Sequence, residues 1–332
     1  MSAVELVEVW RGDMIESRHR GHAVICGPTG EIEEAWGDPD AIIYPRSSCK
    51  MLQALPLIES GAADAHGLTT KQLALACASH QGAAIHSEHV TRWLSDLGLS
   101  DDDLRCGPED PRDRSARDAL IRDGGTPCQY HNNCSGKHCG FLTLTRHLGA
   151  GPEYVALDHP VQQAARDAFE AMTGMDSPGH GIDGCSAPNF ATSLHGLARA
   201  MARFAAATED GTSARNRAAA RLTTAMAMHP ELVAGEGRAC TSLMRAMGGR
   251  AAVKTGAEAF FIAILPDLKK GIAVKIEDGA TRASEAVIAA LLARVGAIEA
   301  DHPAIQALTD APLVNRRGVT AGHVRAAQTL RA

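Results

Sequence analysis

The sequence has no stretch near the about 18 uninterrupted apolar residues that a membrane-spanning helix needs, so no membrane span is expected. Excess positive charge is also missing. Lys and Arg number 33 against 39 Asp and Glu, for a formal net charge of -6, whereas a nucleic-acid surface would want a basic patch. The start, MSAVELVEVWRGDM, lacks a basic segment followed by an apolar core, so no secretory signal is expected. Nine cysteines without an export signal imply thiols in a reducing compartment, and the expected location is the cytoplasm. Neither an internal repeat nor a low-complexity linker interrupts the chain. At 332 residues, 45% hydrophobic and 22% charged, it is long enough for one large domain or two closely joined lobes.

Lysine is the scarcest of the charges. Of the 33 basic residues only seven are lysine: positions 50, 71, 137, 254, 269, 270 and 275. Lysine differs from arginine in that its amine can lose its proton when buried or placed near another cation. A chain that elsewhere writes arginine for charge therefore draws notice to each lysine.

The first 45 residues carry strand text: VELVEVW alternates, and Gly27-Pro28-Thr29-Gly30 marks a hairpin. Alanine-rich helical patterns dominate from about residue 68 to 235, with Thr70, Ser87 and Asp158 as N-cap candidates. Strand text returns at 251–276, with a turn over Leu268–Gly271, and a helix follows from Ser284 to about Val295. The simplest arrangement joins the two strand-rich ends in one sheet flanked by the first and last helices. This predicts a sheet-containing lobe over 1–66 and 236–332 and a mainly helical lobe over 67–235, in a single catalytic unit of the α/β (α+β) class.

Several clusters could carry chemistry. In YPRSSCK, Ser47 and Lys50 stand three apart at a helix start, where a neutral amine can take the serine proton; a plain N-cap is the blander use of such a serine. Ser47-Ser48 leaves the register open by one, but only Ser47 has a lysine at i+3, and Cys49 reads as a bystander. Lys254-Thr255-Gly256 leads into strand text and matches the K-T-G signature of serine β-lactamases and penicillin-binding proteins. The order of hairpin, S-x-x-K helix, helical lobe and K-T-G strand favours an acyl-serine hydrolase scaffold of that kind. HNNCSGKHCG crowds Cys134, Lys137, His138 and Cys139 together, with Ser135 as a possible N-cap. It has no C-x-x-C pair, the usual zinc spacing. Cys185 in GIDGCSAP lies in glycine-rich text where a core role is less natural. Ser79-His80-Gln81-Gly82 reads either as a helix end closed by glycine or as a second reactive serine.

GHAVICGPTGEIEEAWGD, YPRSSCK, CASHQG, HNNCSGKH, GIDGC and VKTGAE together make the chain resemble the class 3 (rhizobial-type, asparaginase II) L-asparaginases over nearly its whole length. The resemblance implies a serine β-lactamase- and glutaminase-like fold, with an antiparallel sheet flanked by helices beside a helical lobe. It implies hydrolysis of L-asparagine to L-aspartate and ammonia through a seryl ester, by two Ser-Lys pairs. By motif these would be Ser47 with Lys50 and Ser79 with Lys254. It implies a zinc-like metal held by Cys134, Lys137 and Cys185 beside the pocket, with Asp183 on a metal water. Arg46 and His138 would line the substrate pocket, and the assembly would be a homodimer. Two lysines near one site lower each other's proton affinity, which favours a neutral amine. Spacing leaves Ser79 open as the acylated serine. A glutaminase, a β-lactam-interacting amidohydrolase and a zinc-holding binding protein stand as the other readings.

Overall fold

A computed structural model describes residues 2–330, so positions 1, 331 and 332 of the expected sheet lobe lie outside it. The strands of the main sheet are β1 (Val4–Arg11), β2 (Met14–Cys26), β3 (Ile32–Trp36), β4 (Ala252–Gly256), β5 (Phe260–Leu265), β6 (Lys270–Ile276), β7 (Asp310–Val314) and β8 (Thr320–Ala326). The helices that matter here are α1 (Lys50–Glu59), α2 (Thr70–Ala76), α3 (Ala84–Asp96), α4 (Ser135–His147), α5 (Pro160–Thr173), α6 (Leu194–Ala205), α7 (Ala214–Met228) and α8 (Thr281–Arg294).

Two compact units divide the chain. One holds the described residues up to Ser48, Thr192–Ala206 and the described residues from Ser242. Its sheet runs β7–β8–β1–β2–β6–β5–β4, with β3 also on β2, and every pairing is antiparallel. The long β2 serves two partners end to end, pairing with β1 up to Gly21 and with β3 from Ala23. Every residue of β5 is buried, the pattern of a strand covered on both faces. The helices of this unit that pack on the sheet include α6 and α8. Gly271 of β6 lets α6 come close: a Cβ there would lie 2.1 Å from the Ala202 nitrogen and 2.4 Å from the Ala198 oxygen.

The other unit, Cys49–Ala191 with Ala207–Thr241, is mainly helical. At its heart, nine of the ten residues of α1, Lys50 to Ile58, are buried. A helix apolar nearly all round must be surrounded, and α5, α7 and α4 pack against it. Gly136 of α4 fits against α2, since a Cβ there would lie 2.5 Å from the Leu75 oxygen.

The division departs from the expected lobes in two places. The segment 49–66, with α1, belongs to the helical unit, because α1 buries its whole circumference among helices. Thr192–Ala206, with α6, belongs to the sheet unit, because α6 packs on β6, β2 and β5. The caps shift by one to four residues. Thr69 caps α2 in a capping box with Gln72, α3 starts at Ala84 ahead of Ser87, His159 precedes α5, and Cys134 precedes α4. Strands β7 and β8 were not expected at all. Among the described residues no helix is long and apolar enough to cross a membrane.

Candidate active site

Arg46–Cys49 form a 3-10 turn that runs directly into α1. Arg46 is left-handed (φ 53), a conformation that costs a non-glycine residue energy and that concentrates at functional sites. Ser48 is fully buried and donates its hydroxyl to the Pro45 oxygen at 2.6 Å. Ser47 is half-buried, and its hydroxyl has no hydrogen-bond partner among the described residues. That separates the two serines: Ser48 is committed, Ser47 is available. Burial first of all pushes Cys49 up to about 12, which fits an inert bystander.

In the same unit Lys254 lies in β4, 1% exposed, with its amine on the Thr255 oxygen at 2.6 Å. Gly256 closes the K-T-G triplet at the end of β4. In the structure the chain itself approaches it, since a Cβ there would lie 2.9 Å from the Pro45 oxygen and 3.0 Å from the Ser48 nitrogen. The K-T-G glycine therefore seats the strand against the turn that carries Ser47.

The helical unit gathers the remaining site residues. Lys50, 1% exposed, donates to the Ala78 oxygen and lies 3.1 Å from Cys134 Sγ. Cys134, at the cap of α4, hydrogen-bonds Cys185, and Lys137 donates to Cys185 Sγ at 3.0 Å. Cys185 and Asp183 sit on the turn of a hairpin that pairs His180–Ile182 with Pro188–Phe190. Gln53 of α1 donates to Pro188 of that hairpin at 3.3 Å. A buried chain thus runs from Ala78 through Lys50, Cys134 and Cys185 to Lys137. The hydrogen bond from Cys134, and then the Lys137 charge, hold the Cys185 thiol well below its ordinary value. Cys134 is pushed the other way, by that bond to Cys185 and then by burial. Burial alone would lower Lys137, but the sulfurs of Cys185 and Cys134 more than reverse that.

His138 differs from a residue facing an open pocket. It is 0% exposed, and Tyr154 joins its Nδ1 at 2.8 Å. The Tyr154 oxygen already accepts from the Arg105 amide at 2.7 Å, so the phenol donates to Nδ1 and the ring proton stays on Nε2. That buried Nε2 has no partner.

Some contacts around the site are not readable from the sequence. Glu109 accepts from both the backbone and the side chain of Asn133, at 2.9 and 2.6 Å, just before Cys134. His80 is fully buried and bonds Ser135. Ser79 lies in the irregular segment after α2, which ends at Ala76, so Gly82 (φ 68) closes no helix here.

Burial holds His80 well below, and His86 below, the ordinary histidine value of 6.5. Both stay neutral in the fold where the unfolded chain takes protons, so the unfolded state binds more protons as pH falls. Their stabilising effect is complete above about pH 6.5 and is lost below it, by up to about 1.4 kcal/mol per pH unit for each ring. Urea midpoints at pH 7.5 and pH 5 should show the drop; equal midpoints would count against neutral rings.

The family described as L-asparaginase II matches residues 7–326. The chain belongs to the L-asparaginase II family. The resemblance read from its motifs is borne out. No curated protein matches the chain. Among solved structures, Mglu in its tris and glutamate form is 13% identical with TM-score 0.46, over 90% of this chain and 64% of that one. This family member therefore spans less than two thirds of that protein's length. A putative beta-lactamase from Bacteroides dorei is 12% identical with TM-score 0.42, over 77% of this chain and 84% of that one. A beta-lactamase from Mycobacterium bovis is 14% identical with TM-score 0.38, over 83% and 94%.

Proposed function

We propose that this asparaginase II family member hydrolyses the side-chain amide of L-asparagine to L-aspartate and ammonia through a seryl ester. The observation that carries the reading is the buried chain of Lys50, Cys134, Cys185 and Lys137, set in a chain of this family. Ser47 attacks the amide carbonyl while Lys50 takes its proton. The amide nitrogen takes up the proton that Lys50 removed, the C–N bond breaks and ammonia leaves, and water then cleaves the aspartyl ester and restores the serine. Ser79 and Lys254 form the second pair. Arg46, His138 and Asp183 attend the substrate or water. Two features support Ser47 over Ser48 as nucleophile: its uncommitted hydroxyl, and its spacing from Lys50 across a 3-10 turn, which brings residues three apart to one side.

A zinc-like ion belongs to the same proposal. Among the described residues no three His, Cys, Asp or Glu side chains form a metal cluster. The expected set contains only two such residues, its third donor being Lys137. The donors present fit a soft cation: two sulfurs and an amine, all buried and in contact. The orphaned His138 Nε2 proton, on the residue next to Lys137, suits a ligand oxygen there. Bound at Cys134, Lys137 and Cys185, the ion would supply positive charge that orients an amino acid's polar groups. A homodimer acting in the cytoplasm completes the reading.

Ammonia release from asparagine and glutamine, measured side by side with and without chelator, tests it. Asparagine should be clearly preferred, and metal removal should raise KM more than it lowers kcat. Glutamine turned over faster would make the protein a glutaminase. No release from either, with metal still bound, would favour the zinc-holding binding protein.

A further inference from the structure

Ser79–Gly82 carries a hydrogen-bond network that the proposed chemistry does not use. The Gly82 amide donates to His80 Nδ1 at 3.2 Å, which leaves the ring proton on Nε2. Nε2 donates to Ser135 Oγ at 2.9 Å, and Ser135 passes its own proton to the Tyr130 oxygen at 2.9 Å. The His80 backbone amide donates to the Asn133 oxygen at 3.1 Å. One residue thus makes two bonds to the residues on either side of Cys134. On the other flank of Ser79, the Ala78 oxygen accepts from Lys50, whose amine also reaches Cys134 at 3.1 Å. Ser79 is held between two ties to the same loop, and its own amide donates to the Val233 oxygen at 2.9 Å. His86 stacks on His80 at 4.8 Å and 8°. It is itself fixed by the Ala83 amide at 3.1 Å and by the Glu231 oxygen at 2.8 Å.

We propose that His80 is a positioning residue that locks Ser79 in register with the Cys134 loop through Ser135. A histidine merely satisfied in a core could find its partners anywhere. Here the ring and the backbone amide join neighbours of Ser79 to neighbours of Cys134. The proposal rests on the reading that Ser79 belongs to the catalytic machinery.

Two conservative variants separate the ring's bonds. His80→Asn places an oxygen near Nδ1 and keeps the Gly82 bond but loses Ser135. His80→Gln places an amide nitrogen near Nε2 and keeps Ser135. A misplacement of about 1 Å can cost about 100-fold. His80→Asn should therefore lower kcat for asparagine by about 10- to 100-fold with KM nearly unchanged, while His80→Gln should recover most of the loss. Ser135→Ala should match His80→Asn, and the double variant should be no worse than either single, since both remove one bond. Thermal midpoints are read on every variant. A fully active His80→Asn, or equal losses in His80→Asn and His80→Gln that follow the thermal midpoints, would overturn the positioning role. Ser79→Ala tells the two failures apart. If it is inactive while His80→Asn is fully active, the positioning role alone falls; if Ser79→Ala is fully active, the reading of Ser79 falls and takes the proposal with it.

Discussion

Ser47→Ala is expected to abolish asparagine turnover while leaving the fold intact. Loss of a nucleophile that works as a unit with its base can cost on the order of a million-fold in kcat. Ser48, its neighbour, cannot take over, because its buried hydroxyl already donates to the Pro45 oxygen. The Ser47 side chain is half-buried with no hydrogen-bond partner among the described residues, so removing it orphans no buried group. The measurement is kcat for ammonia release beside the thermal midpoint of the same preparation. More than a tenth of the parental rate would move the nucleophile role, first to Ser79. Lys50→Met should be equally inactive but less stable, since it leaves the buried Ala78 oxygen without its donor, at a cost of about 1–3 kcal/mol.

Gly271→Ala should be among the most destabilising single changes in the sheet unit. The added methyl would meet the backbone of α6, at 2.1 Å from the Ala202 nitrogen and 2.4 Å from the Ala198 oxygen. A side chain could swing aside; a helix backbone must move as a body. Overpacking of a core usually costs about 1–3 kcal/mol and occasionally more, and this contact belongs at or above the top of that range. Denaturant unfolding should show the unfolding free energy falling by that amount, read as a lower midpoint with the slope unchanged. An unchanged midpoint would mean that α6 does not rest on β6 as described.

Some of this was legible in the sequence. The β2–β3 hairpin announced itself through strand text around Gly27–Gly30, and β4 to β6 through dense apolar text at 251–276. Strands β7 and β8 did not, because DAPLV and TAGHVRA carry a proline, a glycine and few large apolar residues. They read as strands only once β1 offers β8 an edge to pair with. The helix α6 was legible as a helix, but its periodicity says only that one face is buried, not against what. The clue lay elsewhere, in Gly271 opposite the alanines Ala198 and Ala202. In the site, scarcity did the work. Few lysines and a concentrated set of thiols picked out Lys50, Cys134, Lys137 and Cys185, and the helical unit brings them together. Glu109 escaped, and so did the bond between His80 and Ser135, because hydrogen bonds between loops are encoded by no local pattern.

The strand order also sets a schedule for synthesis. The hairpin of β1 and β2 leaves the ribosome long before its neighbours in the finished sheet, β6 and β8, which lie more than two hundred residues further along the chain by their ranges. At roughly 5–20 residues per second, the gap between β2 and β6 lasts on the order of ten seconds or more. Throughout it the nascent hairpin presents unpaired edges, the kind of template on which foreign strands add. The helical unit, complete by Thr241, can fold during that wait. The sheet cannot close until β6 and β8 arrive, so damage to these later strands injures the earlier ones.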